Sequence, residues 1–427
     1  MTNQAMLAIG VFLVTYGLII SEKIHRTIVA ILGGLIILAL GIITQETAIH
    51  HIDFNTLGLL TGMMIIVAIT ARTGLFNYVA VWSAKKVQAD PKKIMISLAF
   101  ITGLFSAMLD NVTTVLLMVP VTFSITRQLQ LDPMPYLISQ IIASNIGGTA
   151  TLIGDPPNIM IGSAVKELTF MAFINNLAAI SILILVFTVY LLAYIYRNRF
   201  TTVERLKDDL MARNELDEIV DSALLKKCLF VLVVTFAGFF GHQALHLESA
   251  TVALFGAFLL LLITAKSDHD LEQTFTKVEW TTIFFFIGLF VLVGGLIETG
   301  VISLLAQSAI AWTGGDVAVA ALLILWLSAI ASAFVDNIPF VATMIPLIKD
   351  MGQMGVANLE PLWWSLALGA CLGGNGTLIG ASANLIVAGL AAQEGYPIRF
   401  MSFIKIGFPL MLLSIIISTV YVYLRYL

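Results

Sequence analysis

Apolar runs set the rhythm of this chain. Stretches long enough to cross a bilayer, about 20 helical residues at 1.5 Å each, lie near 5–21, 27–43, 56–71, 136–164, 172–196, 228–245, 250–265, 281–297, 362–392 and 403–424. Two further runs, 95–125 and 317–348, are each cut in the middle by an Asp-Asn pair, in SAMLDNV (Ser106–Val112) and SAFVDNI (Ser332–Ile338). Their arms hold about 14 to 19 residues with no solvent loop between them. That predicts a re-entrant hairpin, because irregular backbone at membrane depth is tolerated where it lines a protein cavity. Broken helices are predicted over 136–164 and 362–392, which carry GGTATLIGDPPN (Gly147–Asn158) and GGNGTLIGASAN (Gly373–Asn384). Gly147 and Gly148 permit unwinding there, and Asp155 followed by Pro156 fits a helix N-cap with proline at the first helical position. The first run has no basic flank and no small-residue cleavage site, so it reads as a spanning helix and not as a cleaved signal.

These interruptions recur at one offset. Ser106–Val112 maps onto Ser332–Ile338, a spacing of 226, and the same spacing carries Thr73-Gly74 onto Thr299-Gly300, Pro120 onto Pro346, Pro135 onto Pro361 and Gly147–Asn158 onto Gly373–Asn384. The halves are therefore duplicates, 1–196 and 228–427, joined by a mixed-charge segment at 197–227. Five crossings per half is an odd number and forces the second copy upside down. The expected fold is an all-α polytopic membrane protein of two inverted repeats, each with five transmembrane helices plus a re-entrant hairpin. Such repeats build one solute site between them in secondary transporters.

Composition agrees with the membrane reading. Of 427 residues, 59% are hydrophobic and 11% charged, against about a quarter charged in soluble domains, and the mean hydropathy is +0.98. The net charge of −4 leaves no basic stripe for nucleic acid. Cys228 and Cys371 lie far apart in apolar segments and suggest neither a disulfide framework nor a metal site. With the N-terminus outside, ten crossings and two hairpins place 19 of the 22 basic residues inside, leaving Lys166, Lys349 and Arg425 outside. The 197–227 segment then lies inside, as a linker or a regulatory helix. The expected setting is the cell membrane, multi-pass, with lipid as the surrounding partner.

Asp110 and Asp336 are the candidate chemistry at the hairpin tips. Either could simply cap the helix that follows, since a side-chain oxygen there satisfies free backbone N–H groups. Asn or Ser would cap as well, however, without the cost of an acid at membrane depth, about 2.5–3.5 kcal/mol on insertion scales. Binding Na⁺ or a titrating proton explains the choice of acid better. Asn111, Thr113 and Thr114 supply neutral oxygens at the first tip and Asn337 at the second, where Pro339 and Phe340 replace the threonines. The richer ion site is thus expected at the first tip, with Na⁺ on Asp110, Asn111 and Thr114.

The broken helices add Asn145, Gly147, Gly148, Thr151, Asp155 and Asn158 in one half, and Gly373, Gly374, Asn375, Thr377, Ser382 and Asn384 in the other. Ala381 stands where Asp155 stands, so there are three candidate carboxylates and not four. A half-helix N-terminus at the midplane suits an anion or a substrate oxygen. No Walker lysine accompanies the glycines, and no hydrolase triad or HExxH motif occurs in a plausible place, so neither nucleotide binding nor an enzyme is expected, and no cofactor. His242 and His246, at i and i+4, read as interfacial histidines. Arg72 and Glu298, equivalent in the repeats, read as interfacial anchors or a gating pair, and Trp363 and Trp364 as aromatic-belt residues.

SAMLDNVTTVLLMVPV and NIGGTATLIGDPPNIMI resemble the ion transporter superfamily, in the permease group of arsenite efflux pumps, NhaD-type sodium/proton antiporters and the melanosomal P protein. The resemblance, which reaches distantly to the divalent anion/sodium symporters, covers nearly the whole chain. It implies homodimers with scaffold and transport domains, an elevator movement, and a small ion or oxyanion as substrate coupled to H⁺ or Na⁺. The sodium-coupled dicarboxylate carriers of that superfamily have Ser-Asn-Thr at their tips, which falls here on Asp110, Asn111 and Val112 and on Asp336, Asn337 and Ile338. Asp in place of Ser adds negative charge beside a dicarboxylate, and two like charges 4 Å apart repel by about 4 kcal/mol at an effective dielectric of 20. Na⁺/H⁺ antiport or arsenite-type efflux therefore fits more easily than a citrate-like anion, and an anion conductance of P-protein type is the alternative of another class.

Overall fold

A computed structural model describes residues 2–21, 23–242 and 245–427. The first half contains α1 (Asn3–Ser21), α2 (Arg26–Ala39), α3 (Gln45–His51), α4 (Phe54–Ala71), α5 (Leu75–Lys86), α6 (Pro91–Met108), α7 (Asn111–Gln128), α8 (Met134–Thr149) and α9 (Pro156–Ala164). It ends with α10 (Phe170–Phe173), which passes through a π-helical turn into α11 (Ala179–Ile195). After α12 (Glu204–Ala212), the second half contains α13 (Ser222–Gly241), α14 (Ser249–Thr264), α15 (Asp268–Phe275), α16 (Trp280–Glu298), α17 (Val301–Thr313), α18 (Val317–Phe334), α19 (Asn337–Gln353), α20 (Glu360–Gly373), α21 (Ser382–Gln393) and α22 (Phe400–Tyr426). Eight of these helical segments are long and apolar enough to cross a membrane.

The 226-residue offset holds in three dimensions. α6 and α7 form one hairpin with its tip at Leu109-Asp110, and α18 and α19 form the other with its tip at Val335-Asp336. Each broken helix has its gap where the glycine motif lies, 150–155 between α8 and α9 and 374–381 between α20 and α21. Without a hydrophobic driving force between helices in lipid, small residues that let backbones approach carry the packing. Gly62 on α4 lies against the Ala253 backbone on α14, and its repeat mate Gly288 on α16 lies against Ala30 on α2. Gly34 also faces Gly288 while Gly295 faces Ile37 further along, so α2 and α16 run parallel. Because α2 and α4 are successive crossings, α16 runs opposite to its own repeat mate α4, and the copies are inverted.

Polar contacts sort the connecting segments into two ends. Arg72 pairs with Asp270 at 3.7 Å, Arg199 with Asp132 at 2.7 Å, Arg127 with Glu394 and Lys85 with Glu215 at one end. His51 pairs with Glu298 at 3.0 Å and Lys166 with Glu248 at 2.9 Å at the other. These are the two groups that the basic-residue bias assigns to opposite sides. Arg72 and Glu298 consequently do not meet each other, and each is an anchor within its own end.

Several expectations need correction. Trp363 and Trp364 are 3% and 0% exposed. The Trp364 indole donates to Glu360 at 3.2 Å and its ring meets Phe173 edge-on, so the pair fills protein interior and is no aromatic belt. Gly147 and Gly148 stay helical, since α8 runs through Thr149. Their role is close approach: a Cβ on Gly147 would sit 2.1 Å from the Gly103 carbonyl oxygen. The short helices α3, α5, α15 and α17 are too short or too polar to read as crossings from the sequence.

The segment after α11 is also more built than a linker. It folds into α12 flanked by 3₁₀ turns at 197–199 and 215–218, and α13 already begins at Ser222. It docks on α5 through the Lys85 ammonium, which donates to the Arg213 carbonyl at 2.7 Å and pairs with Glu215. The Val220 N–H donates to the Thr73 carbonyl at 2.9 Å. Gly74, at φ +82°, permits this contact: a Cβ there would lie 1.9 Å from the Glu218 carbonyl oxygen.

Candidate ion and substrate site

The hairpin tips and the gaps of the broken helices meet in one buried region. Asp110 precedes α7 and caps it: its carboxylate accepts from the Thr113 N–H at 2.8 Å and from the Thr113 hydroxyl at 2.6 Å. Asp336 caps α19 through the Ile338 N–H at 3.1 Å. Capping is thus real at both tips. Asp155 occupies the N-cap position of α9 but caps nothing with its side chain. It accepts instead from the Asn337 side chain of the opposite hairpin, at 3.3 and 3.5 Å. All three acids are at most 6% exposed.

Asparagines bind the two halves together. Asn145 on α8 accepts from Asn111 at 3.3 Å and donates across the repeat boundary to Asn375 and Asn384, both at 2.9 Å. Cys371, the repeat mate of Asn145, donates its thiol to Asn158 at 3.5 Å, the mirror image of the contact between Asn145 and Asn384.

Other candidates shape the gaps. Thr151 donates to the Ala107 carbonyl and Thr377 to the Ala333 carbonyl, both at 2.5 Å, fixing each gap to its neighbouring hairpin arm. The Asn158 amide donates to the Thr151 carbonyl at 2.8 Å and the Asn384 amide to the Gly374 and Thr377 carbonyls at 2.7 and 2.9 Å. These amides satisfy backbone that the broken helix leaves open, which is the requirement for irregular chain at depth. Gly148 and Gly374 pack against the Gly154 and Gly380 carbonyls, and Gly373 against that of Ala329.

Two oxygens at the first tip are left over. Asn111 Oδ1 and Thr114 Oγ1 are buried and have no hydrogen-bond partner. Both lie in the first turn of α7 after Asp110, and Asn111 and Thr114 are 2% and 0% exposed. A buried polar group without a partner costs about 1–3 kcal/mol, so a pair of idle oxygens beside a carboxylate asks for a reason. A cavity of about 800 Å³ reaches the same helix, lined by Thr113, Leu116 and Leu117 together with Arg72, Lys277 and Glu279.

The second tip contains residues the sequence reading left out. Arg26, assigned there to the inner basic set, donates to Asp336 and, at 2.7 Å, to Ser382. Ser382 in turn donates to Asp336 at 3.0 Å. Glu279, the repeat mate of Asp53, precedes α16 as Asp53 precedes α4, and it lines the cavity that reaches Thr113 of the first hairpin.

A family profile described as "Citrate transporter" (CitMHS) matches residues 16–369. An uncharacterized transporter of Mycobacterium tuberculosis is 40% identical over 429 residues, covering 99% of each chain. The P protein of Homo sapiens is 36% identical over 501 residues, covering 98% of this chain, which spans 60% of that protein's length. Among solved structures, the YdaH transporter of Alcanivorax borkumensis superimposes with a TM-score of 0.61 at 14% identity, over 99% of this chain and 98% of its own. MtrF of Neisseria gonorrhoeae, described as one of a class of antimetabolite efflux pumps, gives 0.63 at 12% over 92% and 84%. At these identities the structural likeness carries the fold alone.

Proposed function

The chain belongs to the CitMHS citrate transporter family, and from that premise we propose a secondary active transporter whose coupling ion, Na⁺ or H⁺, is taken up at Asp110. The observation that carries this reading is the pair of buried oxygens without partners, Asn111 Oδ1 and Thr114 Oγ1, beside that carboxylate. Hard cations prefer oxygen donors, and a proton on Asp110 would serve the same neutralising end. Asp155, which accepts from Asn337 of the second hairpin, supplies a further acid to the same region. The substrate is a small ion or oxyanion, passed between the tips as the hairpins and broken helices slide against the body built on α2, α4, α14 and α16. In this reading the protein works as a homodimer in the cell membrane, with the N-terminus outside and 197–227 inside.

A citrate-like substrate gains from one contact. The two tip aspartates argue against a polycarboxylate because of their charge, but Arg26 offsets the one at Asp336. Cation-coupled tricarboxylate symport therefore stands as the second reading beside Na⁺/H⁺ antiport and arsenite-type efflux.

Proteoliposome flux under imposed pH and Na⁺ gradients, over Na⁺, arsenite, chloride, dicarboxylates and citrate, decides among them. Asp110→Asn is expected to abolish coupled transport while the protein stays folded. Wild-type flux with its full pH or Na⁺ dependence in that variant would sink the assignment, and uncoupled current in the wild type would favour a channel.

A further inference from the structure

Arg26 lies where a coupling cation would be needed. Its guanidinium reaches Asp336 and Ser382, its carbon Cζ stands 4.9 Å from the centre of the Phe285 ring, and its side chain is 24% exposed toward a cavity of about 300 Å³ lined by Asp336, Ile379 and Ser382. The contact joins α2, from the body packed on α16, to the second hairpin and to the start of α21. Position 252, the repeat mate of Arg26, is Val252, so the equivalent position offers the first tip no cation.

We propose that Arg26 is a tethered stand-in for a coupling cation at the second tip. It neutralises Asp336 in the arrangement seen here, so that Asp336 accepts Na⁺ or a proton only once the guanidinium is withdrawn or removed. The inference rests on the reading that tip carboxylates take cations.

A buried carboxylate needs a charge partner, and one carried on the same chain competes as though at high local concentration. Arginine is suited to the task because it keeps its charge at every working pH. Other charged or titratable groups surround the pair: Asp155 across from Asn337, Glu279 at the start of α16, His25 ahead of α2, and Tyr16, whose hydroxyl donates to the Pro339 carbonyl at 2.6 Å. None of them is a permanent cation. Arg26 therefore fixes which tip responds to external Na⁺ or pH.

The test silences the first tip with Asp110→Asn and follows thermal unfolding of the purified protein, with NaCl titrated against choline chloride and at a series of pH values. Asp110→Asn alone is expected to be insensitive to both. Adding Arg26→Gln should lower the melting temperature and introduce a saturable rise with NaCl or with acid. Adding Asp336→Asn as well should remove that dependence and restore stability.

If Arg26→Gln yields no folded protein, recovery in Arg26→Gln/Asp336→Asn still supports neutralisation of Asp336 as its task. No new dependence after Arg26→Gln, a dependence that survives Asp336→Asn, or failure of both variants to fold would overturn the proposal. A wild type indifferent to Na⁺ and pH at Asp110 would instead sink the reading on which it rests.

Discussion

The two hairpin tips share a frame and differ in their chemistry. Ser106 donates to the Ser144 carbonyl at 2.5 Å and Ser332 to the Ala370 carbonyl at 2.6 Å, each fastening a hairpin arm to its broken helix in the same way. Around the acids this likeness ends. Asp110 is held by its own Thr113, with two idle oxygens alongside, whereas Asp336 is held by Arg26 and Ser382 from elsewhere in the chain. After duplication the positions that fasten the frame kept their partners while the groups around the two tip acids diverged, and a single site built from both halves became asymmetric.

The comparison is most severely tested at the shared frame. Gly147→Ala would force a Cβ to 2.1 Å from the Gly103 oxygen, and Gly373→Ala would force one to 2.6 Å from that of Ala329. Backbone atoms cannot step aside, so both are expected to exceed the usual overpacking cost of about 1–3 kcal/mol and to lose folded protein in detergent. Gly389→Ala, with nothing within 4 Å, should behave as wild type. Loss at Gly147 with tolerance at Gly373 would show that the frames are not equivalent after all.

A smaller effect should separate the tips. Thr114→Val removes an oxygen that no protein group uses, so stability should hold while apparent Na⁺ or proton affinity falls roughly tenfold, about 1.4 kcal/mol. Ser382→Ala at the second tip should leave that affinity unchanged. Equal losses from the two variants, read in the same flux assay, would erase the proposed difference.

The smallest effect lies outside the membrane. The Lys85 ammonium holds the Glu215 carboxyl below the usual carboxylate range. A depressed carboxylate stabilises the folded form above its unfolded pKa, about 4.3 for Glu, and loses that contribution as the pH falls through the lowered folded value. The protection factors of amides in 197–227, with exchange corrected for its intrinsic pH dependence, should therefore stay flat near neutrality and fall only in acid. Lys85→Ala should lower them slightly at pH 7, since a single half-buried pair near the surface contributes little. Neither change should touch transport, because neither tip is involved.

Much of this was legible in the sequence because duplication writes itself along the chain. The two Asp-Asn pairs, the glycine motifs and the crossing lengths each appear twice at one offset, and the helices begin and end within a few residues of where those patterns lie. What could not be read has no periodic trace. Arg26 meets Asp336 from 310 residues away and has no mate in the other copy. The links from Asn145 to Asn375 and Asn384 join unlike positions of the two halves. Trp363 and Trp364 misled because an aromatic pair at the start of an apolar run looks the same whether it faces lipid or protein. That Thr151 and Asn158 fasten neighbouring carbonyls is equally untraceable, because a polar side chain in a glycine-rich gap gives no sign of which backbone group it meets.

Those asparagine links also limit how the molecule can be recombined. Asn145 spends both hydrogens of its amide on acceptors that belong to the other copy. A chimera joined within 197–227, taking one half from a distant relative, would leave a buried amide facing foreign side chains even if every helix formed. Exchange between relatives should succeed only when α8, α20 and α21 are inherited together, as one heritable unit that the linear order of the gene divides.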